Sequence, residues 1–214
     1  MNLYAHTDAT LALMQRAAII PVLTIDNVVQ GLQLARALVA GGLPVLEITL
    51  RTPQALEAIR AIRNEVPGAI LGAGTITEPA HAEASVKAGA TFLVSPGMSP
   101  RLLAAARQSP VVFLPGIATA SEAMSLMENG FRALKFFPAE AAGGVRYIAS
   151  LGGPLADLRF CPTGGIDADK ARAYLTLKNV LCVGGSWMVP AAALAAGDFA
   201  RIEALAREAA ALAG

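Results

Sequence analysis

Charge is scarce in this chain. Only 15% of its 214 residues are Asp, Glu, Lys or Arg, and they sum to +1 with no block of like charge. Without a basic patch there is no electrostatic footprint for nucleic acid or an acidic membrane surface, so neither partner is expected. Aromatic residues are also few, at 5%, although 55% of the chain is hydrophobic. Ala, Val, Leu and Ile must therefore fill a large core. The two cysteines, Cys161 and Cys182, are too few for a disulfide framework. Each stands in an apolar run and reads as a buried free thiol, at home in a reducing, cytoplasmic compartment. The two histidines, His6 and His81, have no ligand spacing, and the carboxylates fall mostly in helical segments. No metal and no cofactor is expected from such a set, which disfavours metal-dependent chemistry. One uncharged stretch, 179–197, has the length of a membrane span, but Gly184-Gly185-Ser186 and Pro190 break it and its first half reads as a strand. The first twenty residues lack the basic start, clean apolar centre and small-residue cleavage site of a secretory signal.

What the chain does contain is alternation. Short apolar runs at 19–23, 45–49, 69–73, 91–95, 111–114, 133–136, 159–162 and 180–183 read as eight strands. Amphipathic segments such as 28–40 and 53–66 separate them, and a last helix is expected near 199–212. Gly41-Gly42, Gly89 and Gly130 punctuate three helix ends before the next strand, as glycine C-caps do. Strands that alternate with helices build a parallel sheet. Eight such units in one uninterrupted chain point to an α/β fold, a single-domain (β/α)8 TIM barrel over residues 1–214. Residues 1–18 form an extra N-terminal helical extension. The competing open doubly wound sheet carries a glycine fingerprint after its first strand, where this chain has Thr24-Ile25-Asp26.

In a barrel the working residues stand at the C-terminal ends of the strands. Of four lysines, Lys87, Lys170 and Lys178 belong to amphipathic helices, whereas Lys135 lies inside the sixth strand among Leu134, Phe136 and Phe137. Desolvation favours the neutral amine, which can attack a carbonyl to form a Schiff base. A structural ion pair with a buried carboxylate is the plainer reading of the same residue. Glu47 is the matching carboxylate in an apolar strand, and alternation carries 45, 47, 49 and 51 on one face. A carboxyl so placed can give and take protons. Arg51 offers a fork suited to a substrate carboxylate, unless it merely pairs with Glu47. Gly72-Ala73-Gly74-Thr75 ends the third strand, where glycine permits close approach of a ligand and Thr75 supplies a hydroxyl. Thr163-Gly164-Gly165 and Gly184-Gly185-Ser186 end strands seven and eight, the usual phosphate corner of such barrels, where turn N–H groups and a short helix N-terminus meet the anion.

These residues sit in a series of motifs: Val-Leu-Glu-Ile-Thr-Leu-Arg-Thr, Gly-Ala-Gly-Thr, Ser-Pro-Gly, Leu-Pro-Gly, Lys-Phe-Phe-Pro-Ala-Glu, Phe-Cys-Pro-Thr-Gly-Gly and Cys-Val-Gly-Gly-Ser-Trp-Met-Val-Pro. In that order they resemble the 2-keto-3-deoxy-6-phosphogluconate aldolases of the Entner–Doudoroff pathway, grouped with the 4-hydroxy-2-oxoglutarate aldolases. The likeness runs from about Ile19 to the end of the chain. It implies Lys135 as the Schiff-base lysine and Glu47 as proton donor and acceptor. Arg51, Thr75 and Thr163 would surround the pyruvate end, with Pro96 and Phe137 lining the pocket. Gly164, Gly165, Gly185 and Ser186 would receive the phosphate. The resemblance further implies a homotrimer and a class I aldolase that yields pyruvate and glyceraldehyde 3-phosphate. Three other readings share parts of this pattern: an aldolase for the C4-epimeric phosphogalactonate or for 4-hydroxy-2-oxoglutarate, a phosphosugar epimerase on a similar barrel, and a non-catalytic phosphate sensor.

Overall fold

The computed structural model describes residues 3–213, with side chains described from Thr7 to Leu212. Nine strands run in chain order: β1 Ile19–Leu23, β2 Val45–Thr49, β3 Ile70–Gly74, β4 Phe92–Val94, β5 Val112–Leu114, β6 Gly116–Ile117, β7 Ala133–Phe136, β8 Arg159–Pro162 and β9 Val183–Gly185. The helices are α1 Leu3–Met14, α2 Val28–Ala40, α3 Ala55–Glu65, α4 Pro79–Ala88, α5 Pro100–Gln108, α6 Ala120–Glu128, α7 Gly144–Leu151, α8 Ala168–Leu175, α9 Ala191–Ala196 and α10 Phe199–Ala210. The helix starts are written locally. Asn27, Ser99, Thr119, Asp167 and Asp198 each accept a first-turn N–H with their side chains, which satisfies a donor the helix cannot.

All pairings are parallel. They form a six-stranded sheet in the order β5-β4-β3-β2-β1-β9 and a three-stranded sheet in the order β6-β7-β8. The ring of eight strands expected from the sequence is thus not one continuous ladder. It is cut at Pro115, which has no N–H to donate and stands between β5 and β6. Here the chain changes partner, β5 pairing with β4 and β6 with β7. The Ser95 hydroxyl accepts the Gly116 N–H at 3.2 Å, and the Pro115 carbonyl accepts from Lys135 N at 2.8 Å, so the neighbouring backbone groups stay paired. On the other side only isolated bridges, Phe160 to Val180 and Thr163 to Gly184, link β8 to the last strand segment.

That last strand needs a correction. The sequence reading placed it at 180–183 with Gly184-Gly185 as its closing turn, but β9 is Val183–Gly185 and both glycines are extended backbone in the sheet. The apolar run misled because Leu181 serves another partner, donating its N–H to the Phe160 carbonyl at 3.1 Å. The glycines are in the strand for space. A Cβ at Gly184 would collide with the Thr163 side chain, and one at Gly185 with the Trp187 ring. The other differences are of one or two residues at element ends. Among the described residues no helix is long and apolar enough to cross a membrane.

The core divides in two. Most apolar side chains, among them Leu34, Leu38, Ile59 and Ile62, pack helices onto the outer faces of the strands. A second cluster, Met14, Ile20, Val45, Phe92, Val94, Leu114, Ala133, Cys161 and Cys182, collects side chains from both sheets with one from α1. Two residues further along their strands stand Val22, Glu47, Lys135 and Thr163. Because a strand repeats every two residues, these four share the facing of Ile20, Val45, Ala133 and Cys161 and lie one layer nearer the C-terminal ends. An apolar floor therefore underlies a layer that holds an amine and a carboxylate.

Candidate active site

Lys135 on β7 and Glu47 on β2 lie 88 positions apart in the chain and on different sheets, yet Nζ is 3.1 Å from Oε1 and 3.4 Å from Oε2. Lys135 is 5% exposed and Glu47 4% exposed, whereas Lys87, Lys170 and Lys178 are exposed on the surface. The Phe137 ring covers the ammonium, with Nζ 5.3 Å from its centroid, a distance at which the ring face attracts a cation. The Phe137–Pro138 peptide bond is cis. A proton passed from Nζ to Oε1 turns this pair into a neutral amine beside a carboxylic acid, a nucleophile with an adjacent acid. Both sequence readings of Lys135 thus meet in one contact, since its partner is the other candidate residue. The rival pairing, Glu47 with Arg51, is not formed.

Gly74 explains how the carboxylate fits. A Cβ there would run into Glu47 Oε1, and a Cβ at Gly72 would run into the Phe92 ring. The Gly-Ala-Gly pattern, read from the sequence as room for a ligand, makes room here for the Glu47 carboxylate and for the Phe92 ring of the floor beneath it. Thr75, next along, has φ of 61°, a conformation rare for a residue with a branched Cβ. Its Oγ1 accepts from Arg51 Nε at 3.3 Å. Arg51 lies beyond β2 and is exposed, at the mouth of the site rather than in its interior. Thr49, between Glu47 and Arg51, is fully buried and donates to the Leu23 carbonyl at 2.9 Å, a structural contact.

Beside this mouth is a cavity of about 220 Å³ lined by Val22, Arg51, Phe137, Thr163, Gly164, Gly165, Ile166, Gly185 and Ser186. It gathers seven of the eleven residues singled out from the sequence. Thr75 joins it through Arg51, and Lys135 lies against its Phe137. Pro96 is elsewhere. It follows β4, half-buried, with its backbone pressed against the position where Gly116 has no side chain. Val22 and Ile166 were not foreseen, because an apolar residue in an apolar strand or loop carries no local signal of facing a cavity. No residue of α8 or α9 is among those that line the cavity. The Asp167 carboxylate already caps α8, accepting from Lys170 N at 2.9 Å, and α9 starts beyond the lining residues. What remains are turn N–H groups; those of Gly165 and Ser186 donate to no protein acceptor among the described residues.

The two thiols lie in the apolar floor under Lys135, fully buried. The Cys182 thiol is pushed well up by its hydrogen bond with Cys161 and by burial, so it stays protonated. Tyr174 on α8 is also fully buried, and burial, reinforced by the Glu140 carboxylate to which it donates at 2.6 Å, pushes its phenol well above its usual range. It therefore remains a hydrogen-bond donor. Among the described residues no group of three or more His, Cys, Asp or Glu side chains could hold a metal ion. The His6 side chain lies outside the described side chains.

Comparison with known proteins brings these observations to a family. The family model for KDPG and KHG aldolase matches residues 11–205. The 2-dehydro-3-deoxy-phosphogluconate aldolase of Dickeya dadantii is 54% identical over 191 residues, 89% of this chain and 90% of that protein. A solved structure of the KDPG aldolase of Legionella pneumophila, with pyruvate captured as a covalent carbinolamine intermediate, superposes with a TM-score of 0.91 at 41% identity, covering 94% of this chain and 98% of that one. The 2-keto-3-deoxy-6-phosphogluconate aldolase of Zymomonas mobilis, solved with 3-phosphoglycerate, has the same TM-score at 45% identity, covering 96% and 97%. A buried amine–carboxylate pair beside a glycine-lined cavity, in a chain this close to these proteins over nearly its whole length, belongs to the KDPG and KHG aldolase family.

Proposed function

We propose that this protein is a class I aldolase that cleaves 2-dehydro-3-deoxy-6-phosphogluconate to pyruvate and D-glyceraldehyde 3-phosphate, a step of the Entner–Doudoroff pathway. The observation that carries the reading is the buried Lys135–Glu47 contact at 3.1 Å. The covalent pyruvate adduct of the Legionella pneumophila relative supports the chemistry. Lys135, having given its proton to Glu47, attacks the C2 ketone to give a carbinolamine. Glu47 returns a proton to the departing hydroxyl, and water leaves an iminium. The iminium accepts the electron pair of the C3–C4 bond as Glu47 takes the C4 hydroxyl proton, which releases glyceraldehyde 3-phosphate. The enamine is protonated at C3, and hydrolysis frees pyruvate and the amine. Arg51 and Thr75 at the mouth, with Thr163, hold the carboxylate end, Pro96 and Phe137 bound the pocket, and the N–H groups around Gly164, Gly165, Gly185 and Ser186 receive the phosphate. The cycle needs no cofactor.

The same reading extends to architecture. The two sheets are two arcs of one (β/α)8 barrel, strand five being split into β5 and β6 by Pro115, and the described residues form one domain with α1 as its helical extension; Met1, Asn2 and Gly214 of the expected 1–214 domain lie outside the described residues. Supporting this are the bridges between β8 and the last strand segment and a contact between side chains of different arcs. The assembly is a homotrimer, as the family resemblance implies, and two free thiols suit the cytoplasm. Aldol cleavage of the gluconate and galactonate phosphates and of 4-hydroxy-2-oxoglutarate, compared side by side with pyruvate release as the readout, tests the assignment. The highest kcat/KM is expected on the gluconate phosphate. Preference for the galactonate epimer would change the substrate, and no pyruvate from any of the three would reject the activity.

A further inference from the structure

The motif Lys-Phe-Phe-Pro-Ala-Glu ends on Glu140, which has no part in the cycle above. Its carboxylate is nonetheless fully engaged. Tyr174 Oη donates to Oε1 at 2.6 Å, and Lys170 Nζ is 3.4 Å from Oε2. The same stretch of chain holds the glycine turn from one side. Ala139 N–H donates to the Thr163 carbonyl at 2.8 Å, Glu140 N–H to the Gly164 carbonyl at 3.1 Å, and Lys170 Nζ to the Gly165 carbonyl at 2.9 Å.

Three successive carbonyls are thus fixed, and the peptide plane turns that into a statement about N–H groups. A trans peptide points its N–H opposite to its carbonyl. Holding the carbonyls of Thr163 and Gly164 toward the backbone at Ala139 and Glu140, and that of Gly165 toward Lys170, therefore aims the N–H groups of Gly164, Gly165 and Ile166 away from these partners, and all three residues line the cavity. The turn does not set those directions alone. Gly164 and Gly165, at φ of 109° and 77°, are the residues with the greatest backbone freedom. A carboxylate close to an anion site would also repel the anion, and Lys170 and the Tyr174 hydroxyl offset that charge.

We propose that Glu140, anchored by Tyr174 and paired with Lys170, is a positioning residue that fixes the Gly164-Gly165 turn for a phosphate monoester and so sets the preference for phosphorylated substrate. The inference rests on the phosphate reading of the cavity given above. Steady-state kinetics on the gluconate phosphate and on 4-hydroxy-2-oxoglutarate test it, with inorganic phosphate as a competing inhibitor. Tyr174→Phe keeps the buried ring and removes only the donor. It should raise KM for the phosphorylated substrate and Ki for inorganic phosphate by about tenfold, the loss expected for a hydrogen bond to a charged group, while kcat/KM on the unphosphorylated acid stays within about twofold. Lys170→Met, at an exposed position, should have the larger effect in the same direction, because it also leaves the carboxylate unopposed, and Lys170→Arg should restore most of it. Equal losses on both substrates in Tyr174→Phe, or an unchanged Ki for phosphate in both Tyr174→Phe and Lys170→Met, would overturn the inference. A wild-type enzyme indifferent to the phosphate would remove the phosphate site itself, and the inference with it.

Discussion

Glu47 and Gly74 are matched in shape, and that match makes a prediction at the scale of one methyl group. Gly74→Ala puts a Cβ where Glu47 Oε1 lies. The carboxylate must turn away from Lys135, so kcat should fall by about tenfold or more, since small displacements of a reacting group are costly. The fold should survive, because the clash is with a side chain. Wild-type kcat in this variant would show that the observed Glu47 position is not the working one. Glu47→Gln asks a different question of the same site. It keeps the shape but removes proton transfer, so kcat should drop by about 10²–10⁴. Exchange of pyruvate methyl protons, followed by NMR, should slow in step with cleavage. Exchange at the wild-type rate would assign the proton to another group.

At the scale of elements, the helix starts are fixed by local contacts and the strand ends are not. Caps are local: Thr119 accepts from Glu122 N at 3.3 Å, and Glu122 Oε2 accepts from Ala118 N at 2.7 Å and from Thr119 N at 2.9 Å. Partial burial raises the Glu122 carboxyl, but the hydrogen bonds from Ala118 and Thr119 outweigh it, and the group lies below its ordinary 4.5. A depressed folded value means that the contribution is present above the ordinary value and is lost as pH falls through the folded one. Glu122→Ala should therefore cost about 1 kcal/mol of stability at pH 7. The difference in Tm from wild type should shrink below pH 4. An undiminished difference in acid would mean that the cap does not act through the ionised carboxylate. Strand ends, by contrast, are set by partners far along the chain. An alternating pattern located Glu47 and Lys135, since a charged residue in an apolar strand stands out. It could not register that Gly184 is extended to make room for Thr163, or that Pro115 hands the chain from one sheet to the other. Nor did it single out the Glu140–Tyr174–Lys170 cluster, which is assembled from residues up to 34 positions apart.

At the scale of the whole molecule, low charge did not become a greasy surface. Val29 and Met124 are the large hydrophobic side chains exposed among the described residues, so alanine and glycine rather than broad apolar patches account for the composition. If the protein assembles as proposed, light scattering at micromolar concentration should give the mass of a trimer. A monomeric mass across that range would count against the assembly. The proposed catalysis, too, depends on the whole chain, because Lys135 and Glu47 meet only when both sheets are in place. Breaking such a buried pair on one side alone is expected to cost about 3–5 kcal/mol, which is why Lys135→Arg is the better variant for testing chemistry. The most direct test is incubation with pyruvate and borohydride, followed by mass spectrometry of peptides. A Schiff base at Lys135 predicts inactivation with one stable pyruvate-derived adduct, located on Lys135, abolished in Lys135→Arg and indifferent to EDTA. An adduct on Lys87, Lys170 or Lys178, or activity lost to EDTA with no adduct at all, would contradict it.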